Sequence, residues 1–392
     1  MREGSRRRLV LSTQRQRRCV GVPPDHPKFS AAALASCLVA KIRPSVIDWT
    51  GQRLVAEAAV MGISITTFGP ADDRAIDVAV QIEAAASAVD LPDFPLFCPQ
   101  RFIGSVRHPM PGDAPVHLLA HLDGAAAGLL TLELPQLDNT ENVFVDLSVH
   151  PAVRRRGVGR ALFDRAVELA REHRRKRLTA MTLDTVAAGA AFARTLGANS
   201  VLADVRRRLD LDQLDPAALA RMLADAQDRA TDYQLVFWRG HTPAEYRADV
   251  AYLEGRLVTD APMGDLAWEP ERYDVERVRA TDVALDARGR RRYHTGVRHR
   301  ASGRLVGWTM LDVAATIDWH ALQQITIVDP EHRGHRLGLL VKLENLRYLR
   351  SHEPAVRVIN TFNAAANDHM ISINEQLGFR VADRWTNWQL TI

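Results

Sequence analysis

The sequence predicts an α/β (α+β) chain made of two tandem copies of one domain, each a mixed sheet flanked by helices. Three observations carry this. Residues 143–149 alternate with the period of two and run through Val149-His150-Pro151 into a glycine-containing loop that opens an amphipathic helix. The same succession returns at Val328-Asp329-Pro330, and each Pro stands at the same distance before a Gly, Pro151 before Gly159 and Pro330 before Gly338. Finally, Gly159 to Gly338 and Gly197 to Gly378 are both separations of about 180 residues, far beyond a solenoid unit, so the repeat is a whole domain.

Length and composition agree. At 392 residues, 46% hydrophobic and 25% charged, the chain is too long for one core and natural for two. Its net charge of +4 is concentrated at the start. Residues 1–20 hold seven arginines against the single acid Glu3, a net of +6 that leaves the remainder at −2. A folded part without excess positive charge gives no electrostatic argument for a nucleic-acid partner. Cys19, Cys37 and Cys98 are odd in number and widely spaced, which suggests neither a disulfide framework nor a metal site, and fits a reducing, cytoplasmic setting. No run of 18 apolar residues is present, so no membrane span is expected.

The elements follow in order. Residues 1–60 lack a periodic apolar pattern and read as a disordered extension or a start placed too far upstream. Ser5-Arg6-Arg7-Arg8-Leu9 and Leu34-Ala35-Ser36-Cys37 have the shape of export signals, but the apolar run lies too far from the Arg cluster. A first domain is expected over 61–212. It comprises a strand at 63–68, helices near 72–89 and 98–107, a strand at 116–122, an Asp123-Gly124 hairpin turn and a strand at 127–134. The strand at 143–149 and the loop come next, then a helix with Leu162, Ala166, Leu169 and Ala170 on one face. A strand at 178–183, a helix at 188–196 and a strand near 200–209 close the copy. A linker helix is expected within 213–232, capped by Asp215 with Pro216 in its first turn, and the second domain over 233–392.

The loop Arg154-Arg155-Arg156-Gly157-Val158-Gly159 is the part that suggests chemistry. A strand feeding a glycine loop at a helix start leaves the first helical N–H groups unpaired and aimed at an anion, and arginines at the rim add cationic donors. The Gly-x-Gly-x-x-Gly and Gly-Lys-Ser/Thr patterns of dinucleotide and NTP sites are absent.

With the preceding strand and the Val-x-Pro, Arg154-x-x-Gly157-x-Gly159 resembles the acyl-CoA signature of the GNAT superfamily of N-acetyltransferases, Gln/Arg-x-x-Gly-x-Gly/Ala. The resemblance spans roughly 61–392, twice, and the tandem layout is similar to the subgroup that includes mycothiol synthase. It implies acetyl-CoA as acyl donor, no metal, and a coenzyme cradle of Val149, Arg154, Arg155, Arg156, Gly157, Val158, Gly159 and Arg160. In the second copy the matching residues are Val328, Arg333, Gly334, His335, Arg336, Leu337 and Gly338, with Asn363 nearby. There Arg336 replaces the middle glycine. The expectation is that it keeps helical backbone angles and clasps the phosphate with its side chain.

The resemblance also implies an acid on the last helix and an Asn before it. Those places are Ala193 and Val186 in the first copy and Asn374 and Asn367 in the second, which puts Asn367 and Asn374 forward as the catalytic polar groups; helix capping is the alternative for them. Asp146, Gln324, His320, Asp312 and Glu375 are candidates for the base, none singled out by spacing. The expected function is N-acetyl transfer to a small-molecule amine by direct attack on the thioester. The alternatives are a non-catalytic acyl-CoA sensor and a protein N-acetyltransferase. The sequence is silent on oligomeric state.

Overall fold

The computed structural model describes residues 62–95 and 97–392. The readings made of residues 1–61, including Cys19, Cys37 and both export-like motifs, lie outside the described residues. The first copy contains β1 (Ile63–Phe68), α1 (Asp73–Asp90), α2 (Pro99–Arg107), β2 (Val116–Leu122), β3 (Ala125–Glu133) and β4 (Asn142–Val149). It continues with α3 (Val158–Glu172), β5 (Arg177–Leu183), α4 (Ala187–Thr195) and β6 (Asn199–Asp210). After α5 (Pro216–Asp228), capped by Asp215 as expected, come β7 (Tyr233–Arg239), α6 (Arg247–Gly255), α7 (Leu257–Asp260) and α8 (Val275–Ala287). The chain ends with β8 (Arg290–His299), β9 (Leu305–Ala314), β10 (His320–Val328), α9 (Leu337–His352), β11 (Val358–Ala364), α10 (Asp368–Gln376) and β12 (Arg380–Thr391).

Local chemistry accounts for these boundaries. Asp72 accepts the Ala75 N–H at 3.0 Å and starts α1, while Asp123 and Gly124 take positive φ values of 52° and 82° and turn the β2–β3 hairpin. Apolar alternation then divides each sheet face. In β2, Leu118 packs in the core under α3 while Leu119 packs under α1. In the second copy Leu311 and Val313 lie under α9, and Trp308 lies under α6 and α8. Helices thus cover both sides, with α1, α2, α6 and α8 on one face and α3 and α9 on the other.

All twelve strands form one sheet, in the order β1-β2-β3-β4-β5-β12-β6-β11-β10-β9-β8-β7. The two closing strands change places. β12 pairs antiparallel with β5, β6 pairs antiparallel with β11, and β6 and β12 pair with each other. Divided at α5 into 61–212 and 233–392, as the sequence proposes, each half hands its last strand to the other. Arg206 on β6 is bound by Asp383 on β12, Nε to the two carboxylate oxygens at 3.1 and 3.0 Å, which adds a charge-assisted lock to the exchanged ladder.

Candidate active site

The two loops have the same backbone. In the first copy Arg155 and Gly157 have φ of 64° and 87°; in the second Gly334 and Arg336 have φ of 89° and 55°. Glycine and arginine have traded the two left-handed positions. This corrects the expectation for Arg336: it does not take helical angles but caps α9 in the left-handed region, as Gly157 caps α3. The turn leaves the helix starts open. The first intrahelical bonds are Ala161 N–H to Gly157 and Leu340 N–H to Arg336, both 3.0 Å, and no side chain caps either helix. The amides of Val158, Gly159 and Arg160, and of Leu337, Gly338 and Leu339, therefore have no acceptor within their helices.

The arginines are placed differently from the expectation. Arg154 donates Nε to the Val149 carbonyl at 3.1 Å and binds Asp90 of α1 with both terminal nitrogens at 2.9 and 2.7 Å. Arg333 repeats this with the Val328 carbonyl at 3.2 Å and Asp260 of α7 at 2.8 Å. These two residues brace strand end to helix. Arg336, expected on the phosphate, pairs with Asp225 of α5 at 2.5 Å. Arg156 lies 3.4 Å from Asp123, and Arg160 pairs with Asp164 at 2.8 Å. Of the cradle residues named from sequence, the backbone donors at the helix starts stay open, and most of the cationic side chains have carboxylate partners. His335 packs its ring against Tyr233, with centroids 5.5 Å apart.

Above each loop two parallel strands part. The β4–β5 ladder ends at Phe144 and Thr179, so Val145 to Val149 open away from β5. The β10–β11 ladder ends at Gln323 and Thr361, leaving Gln324 to Val328 open. In the first copy the gap widens into a cavity of about 160 Å³ whose walls include Val145, Leu147, Phe163, Phe192, Ala193 and Asp146. A Cβ at Gly159 would lie 3.5 Å from Val149 and 3.8 Å from the wall residues Leu147 and Phe192, ordinary contact distances. Val186 starts α4 without a side-chain cap.

One asymmetry separates the copies. β4 keeps unbroken register with β3 from Phe144 to Val149, whereas β10 shifts register against β9 between Gln323 and Thr326. The bulge is held from within: Gln323 Nε2 donates to Thr309 Oγ1 at 3.0 Å and to the Met310 carbonyl at 2.8 Å, and Thr309 Oγ1 donates to the Ile325 carbonyl at 3.1 Å. A bulge leaves a ladder residue unpaired, here at the open side of β10.

The candidate catalytic groups fall into different roles. Asn367 caps α10, accepting the Met370 N–H at 3.2 Å, and Asn374 is 0% exposed and donates to Asn363 Oδ1 at 2.7 Å. Both have structural jobs, and Asn363, two residues beyond the last β10–β11 rung, is the one beside the gap. Asp312 is buried, ion-paired to Arg290, and accepts from Gln324 at 2.7 Å, so it is not free to act as a base. His320 is pushed down to about 4 by burial and by the nearby cations Arg206, Arg208, Arg101 and Arg290. Glu375 is exposed on α10. Asp146 stands out: it is reachable by solvent at the cavity mouth, yet surrounding protein, then Glu83 and Glu133, raise its carboxyl to about 7. Its raised pKa has no sequence signature, because Glu83 and Glu133 reach it only through folding.

Comparison with known proteins agrees with this architecture. The acetyltransferase (GNAT) family model matches residues 89–198. A tandem GNAT protein from the clavulanic acid biosynthesis pathway, solved without acetyl-CoA, is 34% identical, with a TM-score of 0.70 over 84% of this chain and 98% of that one. The chain belongs to the GNAT acetyltransferase family, and its doubled fold makes it a tandem member. A GCN5-related N-acetyltransferase from Sphaerobacter thermophilus shares the fold at 17% identity, with a TM-score of 0.59 over 84% of this chain and 95% of its own. A comparison with curated proteins gave no match.

Proposed function

We propose that this chain transfers the acetyl group of acetyl-CoA to the amine of a small molecule in the cytoplasm, with the chemistry in the second copy. The amine nitrogen attacks the thioester carbon, the carbon–sulfur bond breaks, and the amine proton leaves to the thiolate or to solvent. The bulge at Gln323–Thr326 carries this reading. An unpaired strand amide at the open gap is suited to stabilise the oxygen that becomes negative as the thioester is attacked, and β4 has no counterpart. Each loop supplies helix-start amides for a diphosphate, so both copies are proposed to bind coenzyme, the first in its apolar cavity. Release of free CoA thiol with acetyl-CoA and a panel of amines tests the reading; coenzyme binding without thiol release from any amine would instead leave a sensor.

Asp146 favours a second reading, in which the first copy also transfers acetyl groups. A carboxylate with a pKa of about 7 at the mouth of the β4–β5 cavity is matched to removing an amine proton near neutrality. Asp146→Asn separates the two: turnover survives if the second copy alone is active, and falls if the first contributes.

A further inference from the structure

A cavity of about 200 Å³ lies on the side of the first copy's sheet that α1 covers, and both copies build it. β3 and β4 supply Glu133 and Phe144, which stand opposite each other in their ladder, and Asp113 joins them from its bridge to Pro135. Trp268, Glu271 and Tyr273 close the cavity from the segment between α7 and α8. Polar contacts fasten that segment to the first copy. Asn139 donates Nδ2 to the Glu269 carbonyl at 3.0 Å and accepts the Glu269 N–H at 2.6 Å. Asn142 donates to the Ala267 carbonyl at 2.9 Å, and Asp138 accepts the Arg272 N–H at 3.1 Å.

The charge inside is not balanced. Arg277, the cation in the wall, is held between Asp138 and Glu271, 2.7 Å from each. The carboxylates of Asp113 and Glu133 have no hydrogen bond or ion pair among the described residues. Arg288 acts on them only from electrostatic range, its Nε bound to the His108 carbonyl at 2.8 Å. Two unpaired carboxylates facing one cavity repel each other. Burial, then Glu133 and Glu271, lift Asp113 to about 6, and burial lifts Glu133. A further acceptor lies beside them. Asn142, 2% exposed and two residues before Phe144 on the same face of β4, leaves Oδ1 without a partner. Against the acids stands an aromatic wall, Phe144 and Trp268 with ring centroids 4.8 Å apart, and Tyr273. Carboxylates set against aromatic rings select an organic ammonium, which gains from both, over a metal ion, which needs a shell of oxygens.

We infer that this cavity holds an ammonium group of the acceptor between Asp113 and Glu133 and against Phe144 and Trp268, so that the acceptor carries two amino groups. The second amine then lies along β4. Asp146 follows Phe144 on the same face, roughly 7 Å away, at the mouth of the β4–β5 gap. A short aliphatic diamine bridges that span. The inference rests on the reading in which the first copy transfers acetyl groups for the fate of the second amine, but not for the binding itself. There the amine nitrogen bonds to the thioester carbon as the carbon–sulfur bond breaks, its proton passes to Asp146, and the thiolate takes a proton from solvent.

The test is calorimetric binding to the full chain, without coenzyme, of 1,4-diaminobutane and 1,5-diaminopentane, each beside the diol of the same length. At least one diamine is expected to bind about ten-fold or more tightly than its diol. Glu133→Gln and Asp113→Asn are each expected to lower the diamine's affinity about ten-fold, and Glu133→Asp to recover part of it. Neither carboxylate has a partner to lose, and an unchanged melting curve shows that a variant is folded. Equal affinity of diamine and diol, no binding by either diamine, or an unchanged diamine affinity in either neutral variant overturns the inference. Thiol release from acetyl-CoA is measured with the diamines and with 1-aminobutane. Diamine binding without thiol release keeps this cavity and removes the transferase reading; thiol release as fast from 1-aminobutane as from the diamines keeps the transferase and removes the cavity's role.

Discussion

Gly157 and Arg336 hold the same left-handed backbone position at the start of equivalent helices, at φ of 87° and 55°. In the partner position of each loop the residue types are reversed, Arg155 against Gly334. The loop is therefore one backbone shape that each copy builds from a different glycine, and each carries one strained arginine.

Arg336→Gly is expected to stabilise the protein by about 1 kcal/mol, the cost of a side chain in the left-handed region. The Asp225 ion pair that it removes is exposed on both sides and contributes little. Thermal unfolding checks this, and a lower midpoint would show that Arg336 carries more than its conformation costs.

Acetyl-CoA is expected to bind twice per chain. A Glu at Gly159 would push a charged side chain from contact with Val149 and Phe192 into the gap proposed for the coenzyme. That is a loss of about 2–4 kcal/mol, roughly 30- to 1000-fold in affinity. Titration calorimetry on Gly159→Glu is then expected to show one tight site instead of two, with turnover at saturating acetyl-CoA largely kept.

Asn367→Ala removes the cap of α10 and is expected to cost about 1 kcal/mol of stability. Asn367→Ser restores a cap oxygen. If capping is the whole role of Asn367, Ser recovers stability and turnover together; recovered stability with lost turnover would mark a chemical role.

Asp146 supplies a pH signature. Its folded pKa of about 7 exceeds the ordinary value of 3.8, so the native state holds more protons than the unfolded chain between those values. Its contribution to stability therefore falls as pH rises from about 4 to 7. Asp113, raised to about 6, and Glu254, raised to about 7, act in the same sense; His320, lowered to about 4, acts oppositely as pH falls below about 6.5. Comparison of the parent with Asp146→Asn isolates one group: the variant is expected to gain stability relative to the parent across pH 4 to 7, and a constant difference would refute the shift.

Much of this was legible from residues alone. The Asp123-Gly124 turn, the alternation of Val143 to Val149, the Asp215 cap and the repeated Val-x-Pro are local signals, read by hydrogen bonds and packing within a few residues of each other. They determined the element order, the duplication, the family and the glycine-containing loop at the start of α3. Tertiary structure alone decided which closing strand completes which half. The apolar and polar alternation of β6 and β12 does not specify a neighbour, and their pairing is settled only by contacts across the whole chain, among them Arg206 with Asp383. It likewise decided that Asp90 and Asp260 occupy Arg154 and Arg333, that Arg336 is left-handed, and that Glu83 and Glu133 lie near Asp146. Each depends on charges and backbone brought together from distant segments, and no spacing along the sequence records the distance between groups that meet only in the fold.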